Sequence, residues 1–360
     1  MSRDLITGKV NKSRATIENI DHRFSRLTKI PITDNWWHEN DQSSDITELI
    51  KERSKSIISV NQSPDVPFEQ SINPYRGCEH GCVYCYARPS HAYWDLSPGY
   101  DFESKIIYKE NAVELLEKKL RSRSYQCKPI TIGANTDAYQ PIEKKLRLTR
   151  SLLETLLKYN HPVHLITKGQ GIIRDLDILA LLAQNNLVSV GISLTTLDNS
   201  LKTILEPRAA SPSTRLSIIS KLSDCGVPVS VLVAPIIPAI NDCEIESILT
   251  AAKENGAKNA AYIMLRLPHE VQTIFIRWLE RHYPLRKQKV LNYLNELRKG
   301  QLNSNQFGSR MTGEGIFADT IKQRFELSCK KLRLIHTREA PSQLNTELFS
   351  KGNDQQLKLF

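Results

Sequence analysis

The 360-residue sequence has no apolar run long enough to cross a bilayer. Met1 to Asn40 also lack an apolar stretch of the length that a secretory signal requires. The expectation is a cytoplasmic protein with no membrane contact. Acidic residues are in short supply, 39 Asp and Glu against 49 Lys and Arg, for a formal net charge of +10. Such a surplus suits a polyanionic partner such as nucleic acid, although many basic proteins never touch one. Cysteine is scarce and odd in number, at seven. Three of the seven crowd between Cys78 and Cys85, which argues against a disulfide framework and for a metal or redox site.

What is present is ordinary for a soluble enzyme: 40% hydrophobic and 24% charged residues. Residues 1–65 are polar and weakly patterned, and are expected to wrap the domain or stay partly mobile. From about residue 68, short apolar segments rich in β-branched residues alternate with amphipathic ones. Strands are predicted at Phe68–Tyr75, Ile130–Ala134, Val163–Thr167, Val188–Leu194, Val227–Ala234 and Ala260–Arg266. Helices are predicted between them at Asn111–Arg121, Thr149–Tyr159, Ile172–Gln184 and Pro212–Cys225. Repeated strand–helix alternation implies a parallel sheet with right-handed crossovers, and six units fit a partial (β/α)6 barrel. Chemistry should then sit at the carboxyl ends of the strands. The expected organisation is an α/β barrel over residues 66–267, extra C-terminal helices over 268–336 and a disordered tail over 337–360. The extra helices are expected at Val271–His282, Lys287–Arg298 and Ile316–Leu332.

Cys78-Glu-His-Gly-Cys82-Val-Tyr-Cys85 begins just after the first predicted strand, on a loop at the active end. Three thiolates on one loop can hold three corners of a cubane cluster that ordinarily takes four cysteines, leaving one iron open. Two other readings compete: a Cys₃His zinc site completed by His91, and plain buried cysteines. The spacing beside Gly77 and Gly81 favours the cluster over packing.

Cys-x₃-Cys-x₂-Cys with Tyr84 before the last cysteine resembles the radical S-adenosylmethionine (SAM) signature. The closer resemblance, over about residues 65–265, is to the spore photoproduct lyase or DNA-repair-photolyase-like branch. It is carried by Asn135-Thr136-Asp137, Thr167-Lys168, Ile192-Ser193-Leu194, Glu206-Pro207-Arg208 and Val233-Ala234-Pro235-Ile236, in that order. The resemblance implies a radical SAM (β/α) fold and a [4Fe–4S] cluster on Cys78, Cys82 and Cys85. It also implies reductive cleavage of SAM to a 5′-deoxyadenosyl radical, fed by a reductant such as flavodoxin or ferredoxin. Lys168 at a strand end would meet the SAM carboxylate, Thr136 its amino-acid end and Ser193 its ribose; for the two hydroxyls, satisfying local backbone is the competing role. Tyr84 would pack near the adenine or cluster, and Tyr86 matches a tyrosine that the lyases place beside the reaction centre, so its catalytic role would be to relay a hydrogen atom, with a core aromatic as the competing role. Asp137 and Glu143 are read as substrate contacts or helix caps, and His80 as structural. One departure stands out: where the lyases carry a hydrogen-donating cysteine, this sequence has Ala134, and Cys127, Cys225 and Cys243 do not match that position. Dimer lysis by the lyase route is therefore doubtful.

The last residues, Gln356-Leu357-Lys358-Leu359-Phe360, resemble the peptide with which bacterial polymerases and repair proteins dock on the replication sliding clamp. With the basic C-terminal helices this favours DNA as the substrate, held through phosphates. Radical SAM modification of RNA or protein, and a zinc-stabilised nucleic-acid-binding protein without catalysis, are the alternative readings.

Overall fold

The computed structural model describes residues 14–16, 18–25, 46–336 and 343–351. Strands run in chain order β1 Glu48–Glu52, β2 Ile58–Val60, β3 Gln70–Ile72, β4 Tyr75–Arg76, β5 Lys105–Lys109, β6 Ile130–Ile132, β7 Val163–Thr167, β8 Val188–Ser193, β9 Val229–Ile236, β10 Asn259–Met264 and β11 Ile335–His336. The main sheet has the order β11-β10-β9-β8-β7-β6-β3-β2, parallel throughout except for the edge strand β2. The six predicted strands are β3 and β6 to β10, and their order follows the chain as a partial barrel requires. Strands β6 and β8 are buried on almost every residue, as expected of parallel strands covered on both faces.

The helices are α1 Tyr100–Ser104, α2 Ala112–Arg121, α3 Glu143–Leu146, α4 Leu148–Lys158, α5 Leu176–Gln184, α6 Asn199–Leu205, α7 Pro212–Asp224, α8 Ile245–Glu254, α9 Val271–His282, α10 Lys287–Glu296 and α11 Ile316–Leu332. Leu152, Leu153 and Leu156 of α4 are buried in the core, and α7 opens with Pro212 under a Ser211 cap that accepts from the Thr214 amide at 3.2 Å. Among the described residues no helix is long and apolar enough to cross a membrane.

Two expectations change and a third is narrowed. The first predicted strand splits: Pro74 has no N–H to extend the ladder, so β3 ends at Ile72 and β4 joins a second sheet of order β1-β5-β4. That sheet draws Glu48–Glu52, from the segment expected to wrap the domain or stay partly mobile, into parallel pairing with β5. Residues 343–351, expected to be disordered, pack on the amino-terminal end of the barrel. There the Asn345 amide donates to Asn186 at 2.9 Å and the Ser350 amide to Tyr159 at 3.1 Å, while Phe349 sits edge-on to Tyr125 and His161. Residues 352–360, which include the clamp-like peptide, and Trp36-Trp37 lie outside the described residues.

Candidate active site

The loop from Gly77 to Cys85 leaves β4 and lies against residues that follow β6, β7 and β8: Asp137, Lys168 and Thr195. It therefore occupies the carboxyl ends of the parallel strands, where the sequence places it. Two left-handed turns shape it, at Gly77 (φ +79°) and Gly81 (φ +67°). A Cβ at Gly77 would stand 2.9 Å from the Phe102 carbonyl, and one at Gly81 would stand 2.7 Å from the Glu103 carboxylate, so only glycine fits either turn. The Cys78 amide donates to Phe102 at 2.9 Å and the Val83 amide to Leu205 at 3.1 Å. Beneath the loop, the Arg88 guanidinium donates to the Cys82 carbonyl at 2.8 Å and pairs with Glu103 at 2.5 Å, both side chains fully buried.

Cys78 and Cys82 are buried and Cys85 is half-buried. Burial, above all, pushes the three thiols up, Cys82 to about 12, so they ionise only beside a cation. A polynuclear iron cluster supplies such a charge, and the donor set fits it. Among the described residues no three His, Cys, Asp or Glu side chains gather around one point as a single ion requires. A cubane binds each thiolate through a different iron and needs no such convergence. His91, the would-be zinc ligand, instead directs Nε2 at the Lys105 carbonyl at 3.0 Å and packs edge-on to Phe102.

Beside the cysteines lies a buried charge network. The Lys168 ammonium donates to Glu206 at 2.9 Å and to the Tyr84 hydroxyl at 2.9 Å, and stands 3.6 Å from Cys82 Sγ. Glu206 also accepts from Thr195 at 2.8 Å, from Tyr84 and from Arg215, whose guanidinium reaches the Ser193 and Ala210 carbonyls at 3.0 Å. Burial works against the Glu206 charge, but Arg215 and Lys168 outweigh it and hold the carboxyl well below the usual range. Lys168 and Arg215 share one carboxylate and buried Lys202 lies within electrostatic reach of it, so the network is net positive.

The remaining strand-end residues have local partners. Thr136 donates to the Tyr75 carbonyl at 2.9 Å and Ser193 to Ala234 at 3.2 Å. Asp137 accepts from the Thr167 hydroxyl at 2.6 Å and the Lys168 amide at 2.8 Å, and faces His80 at 3.3 Å. It thus fixes the β6 and β7 ends to the cysteine loop. Glu143 accepts from the Thr149 amide at 3.1 Å and the Arg150 amide at 3.4 Å, the work of a cap on α4. Tyr86 is exposed, and its hydroxyl donates to the carbonyl of Ala134. The tyrosine and the alanine that the resemblance singles out thus meet across 48 positions. Cys225 and Cys243 are exposed, Cys127 is half-buried and Cys329 is buried.

Sequence reading had not singled out Arg215, Arg88 or Glu103. An arginine in a helix reads as a solvated face, and no local signal marks one whose partner comes from another element. Glu206 was visible only as part of a Glu-Pro-Arg run.

The model of the radical SAM superfamily matches residues 72–252. An uncharacterized protein of Mycobacterium tuberculosis is 33% identical over 247 residues, covering 67% of this chain and 72% of that one. An uncharacterized protein of Methanocaldococcus jannaschii is 28% identical over 239 residues, covering 66% and 84%. Among solved structures, spore photoproduct lyase complexed with dinucleoside spore photoproduct superposes with a TM-score of 0.56 at 16% identity, over 80% of this chain and 81% of that one. The chain belongs to the radical SAM superfamily, whose members use a [4Fe–4S] cluster and SAM.

Proposed function

We propose that this radical SAM enzyme acts on nucleic acid, with DNA carrying a damaged base as the substrate class. Cys78, Cys82 and Cys85 would hold the cluster. Bound together, the reduced cluster and SAM supply hydrogen-abstracting radical chemistry. The chain's own part is to bind, orient and exclude water. The net positive charge of the Lys168–Glu206–Arg215 network suits a carboxylate, which the amino-acid end of SAM brings. Thr136 and Ser193 spend their hydroxyl protons on backbone, so each oxygen keeps lone pairs for a donor: the SAM ammonium at Thr136, a ribose hydroxyl at Ser193. Tyr84, locked by Glu206 and Lys168, walls the site beside Cys82. Tyr86, exposed at the mouth, would face the substrate.

The observation that carries the nucleic-acid reading is the +10 charge, with Arg277, Arg281, Arg286 and Lys289 exposed on and between α9 and α10. The fold shared with a lyase that binds a dinucleoside lesion supports it. Ala134 in place of a cysteine weighs against the lyase's own hydrogen return. In this reading the Gln356–Phe360 peptide docks on the sliding clamp, led by a segment anchored at the barrel end opposite the cysteine loop. An anaerobic assay with dithionite tests substrate class: 5′-deoxyadenosine should rise when ultraviolet-irradiated DNA is added. A rise with RNA or protein extract alone would contradict the proposal. A clamp pull-down with and without residues 356–360 tests the tail, and equal retention of both forms would refute it.

A further inference from the structure

Arg266 follows β10, Arg298 follows α10, and Arg310 lies in the loop before α11; Arg298 reaches the residue before Arg266, Arg266 reaches the residue after Arg310, and the charge of Arg266 lies within electrostatic reach of both neighbours. Asp65 is the carboxylate that faces Arg266 and Arg310. It pairs with Arg310 and accepts from the Gly308 amide at 2.7 Å. Arg298 is 4% exposed, donates once, to the Leu265 carbonyl, and leaves Nε and Nη1 without partners. Arg266, half-buried, spends Nη1 on the Met311 sulfur at 3.3 Å and leaves Nε unpartnered. A thioether is a weak acceptor for a cation. Three cations against one carboxylate leave two positive charges in surplus where desolvation is costly. Burial first, then the charge of Arg266, pulls the Arg298 guanidinium down to about 10; burial and then Arg310 lower Arg266. This surplus is separate from the cysteine-loop network, whose cations have Glu206.

The arginine corner lies beside Tyr86. Arg266 is close enough to Tyr86 for its charge to act on the phenol, and Tyr86 reaches back to Ala134 beyond β6. Phe307 is exposed, with the Arg310 guanidinium 4.7 Å from its ring centroid.

We infer that Arg266, Arg298 and Arg310 form a receptor for a phosphate group of the substrate at the β10 end of the mouth. The guanidinium fork matches phosphate oxygens in pairs. The charge count matches a terminal phosphate monoester, which carries roughly two negative charges, or two neighbouring diesters; a single diester or a single carboxylate would leave one cation unpaired. Arg266, the part-exposed member of the unpaired two, contacts the ligand, and Arg298 lends its charge from behind. Phe307 offers a stacking face for a base next to the phosphate. The inference rests on the proposed function for the source of the phosphate, a nucleic-acid strand, but not for the existence of the site.

The test uses the full chain with its cluster reconstituted. Inorganic phosphate, against chloride at matched ionic strength, should raise the melting temperature of wild type, and Arg266→Gln should abolish most of that rise. An equal rise in both overturns the site. Arg266→Lys keeps the charge and loses the fork, and covers the case in which the glutamine chain does not fold. It should bind phosphate about tenfold more weakly, and unchanged binding again overturns the site. A second arm follows the anisotropy of a labelled single strand of about ten deoxynucleotides against salt. The slope of log affinity on log salt should shrink by about 1 in Arg266→Gln. Phosphate binding that depends on Arg266 without such strand binding assigns a free nucleotide as the source and overturns the nucleic-acid half. Strand binding by wild type that is indifferent to Arg266 overturns this site and leaves the proposed function standing.

Discussion

Replacing Glu206 with glutamine should cost the protein far more than one hydrogen bond. The carboxylate is fully buried and receives Lys168 at 2.9 Å, Thr195 at 2.8 Å, Tyr84 and Arg215. Glutamine keeps one acceptor oxygen but turns an NH₂ toward one of the two cations. Both cations are then left without an anion, and one of them faces another donor. Breaking a buried pair this way costs about 3–5 kcal/mol, against about 1 kcal/mol for a neutral hydrogen bond. Anaerobic urea unfolding of wild type, Glu206→Gln, Arg215→Met and the double variant measures both the loss and its origin. If Arg215 is destabilising once Glu206 is gone, the double variant recovers part of the loss, with a coupling of about 2 kcal/mol or more. A Glu206→Gln loss under about 1 kcal/mol, additive with Arg215→Met, would refute the charge-network account.

Other consequences are equally direct. His161 is buried beneath Phe349 at the barrel's far end, and burial pulls it down to about 4 from an unfolded value near 6.5. Its neutral form is the folded one, so its contribution is complete above pH 6.5 and is lost as pH falls toward 4. The shift corresponds to about 3 kcal/mol, and His161→Gln should flatten the fall of melting temperature across that window. A fall as steep as in wild type would assign the acid limb to other groups. Gly81→Ala must adopt a left-handed conformation and displace the Glu103 carboxylate 2.7 Å away, so it should cost about 2 kcal/mol or more and lower iron incorporation. Normal iron content at wild-type stability would mean that the loop tolerates another path. Phe349→Ala should free residues 343–351 to limited proteolysis without changing SAM cleavage, because the contact lies at the end of the barrel away from the cysteines. Cleavage at the wild-type rate in that segment would contradict its anchoring.

The parallel strands were legible because burial on both faces leaves a nearly continuous apolar segment. Val163–Thr167 is identical in sequence expectation and structure, and Val188–Leu194 differs by its last residue. Strand β5 was not legible: Lys105 and Lys109 bracket its two isoleucines, and its partner β1 comes from a polar region more than fifty residues away. Residues 343–351 read as disordered because their composition is polar, while their hold is buried Leu344, half-buried Phe349 and long-range backbone bonds. At the site, the cysteine spacing and the order of strand-end motifs carried the cofactor reading from sequence. The buried pairs Arg88–Glu103 and Arg215–Glu206 did not show, since each joins residues that are distant in local structure and charged side chains read as exposed.

The most direct test of the central claim reconstitutes the chain anaerobically with iron and sulfide, adds dithionite and SAM, and measures bound iron, acid-labile sulfide and 5′-deoxyadenosine. Wild type should hold a four-iron cluster and form 5′-deoxyadenosine, and Cys82→Ala should do neither. Zinc in place of iron and sulfide, or 5′-deoxyadenosine formation that survives loss of Cys82, would contradict the account.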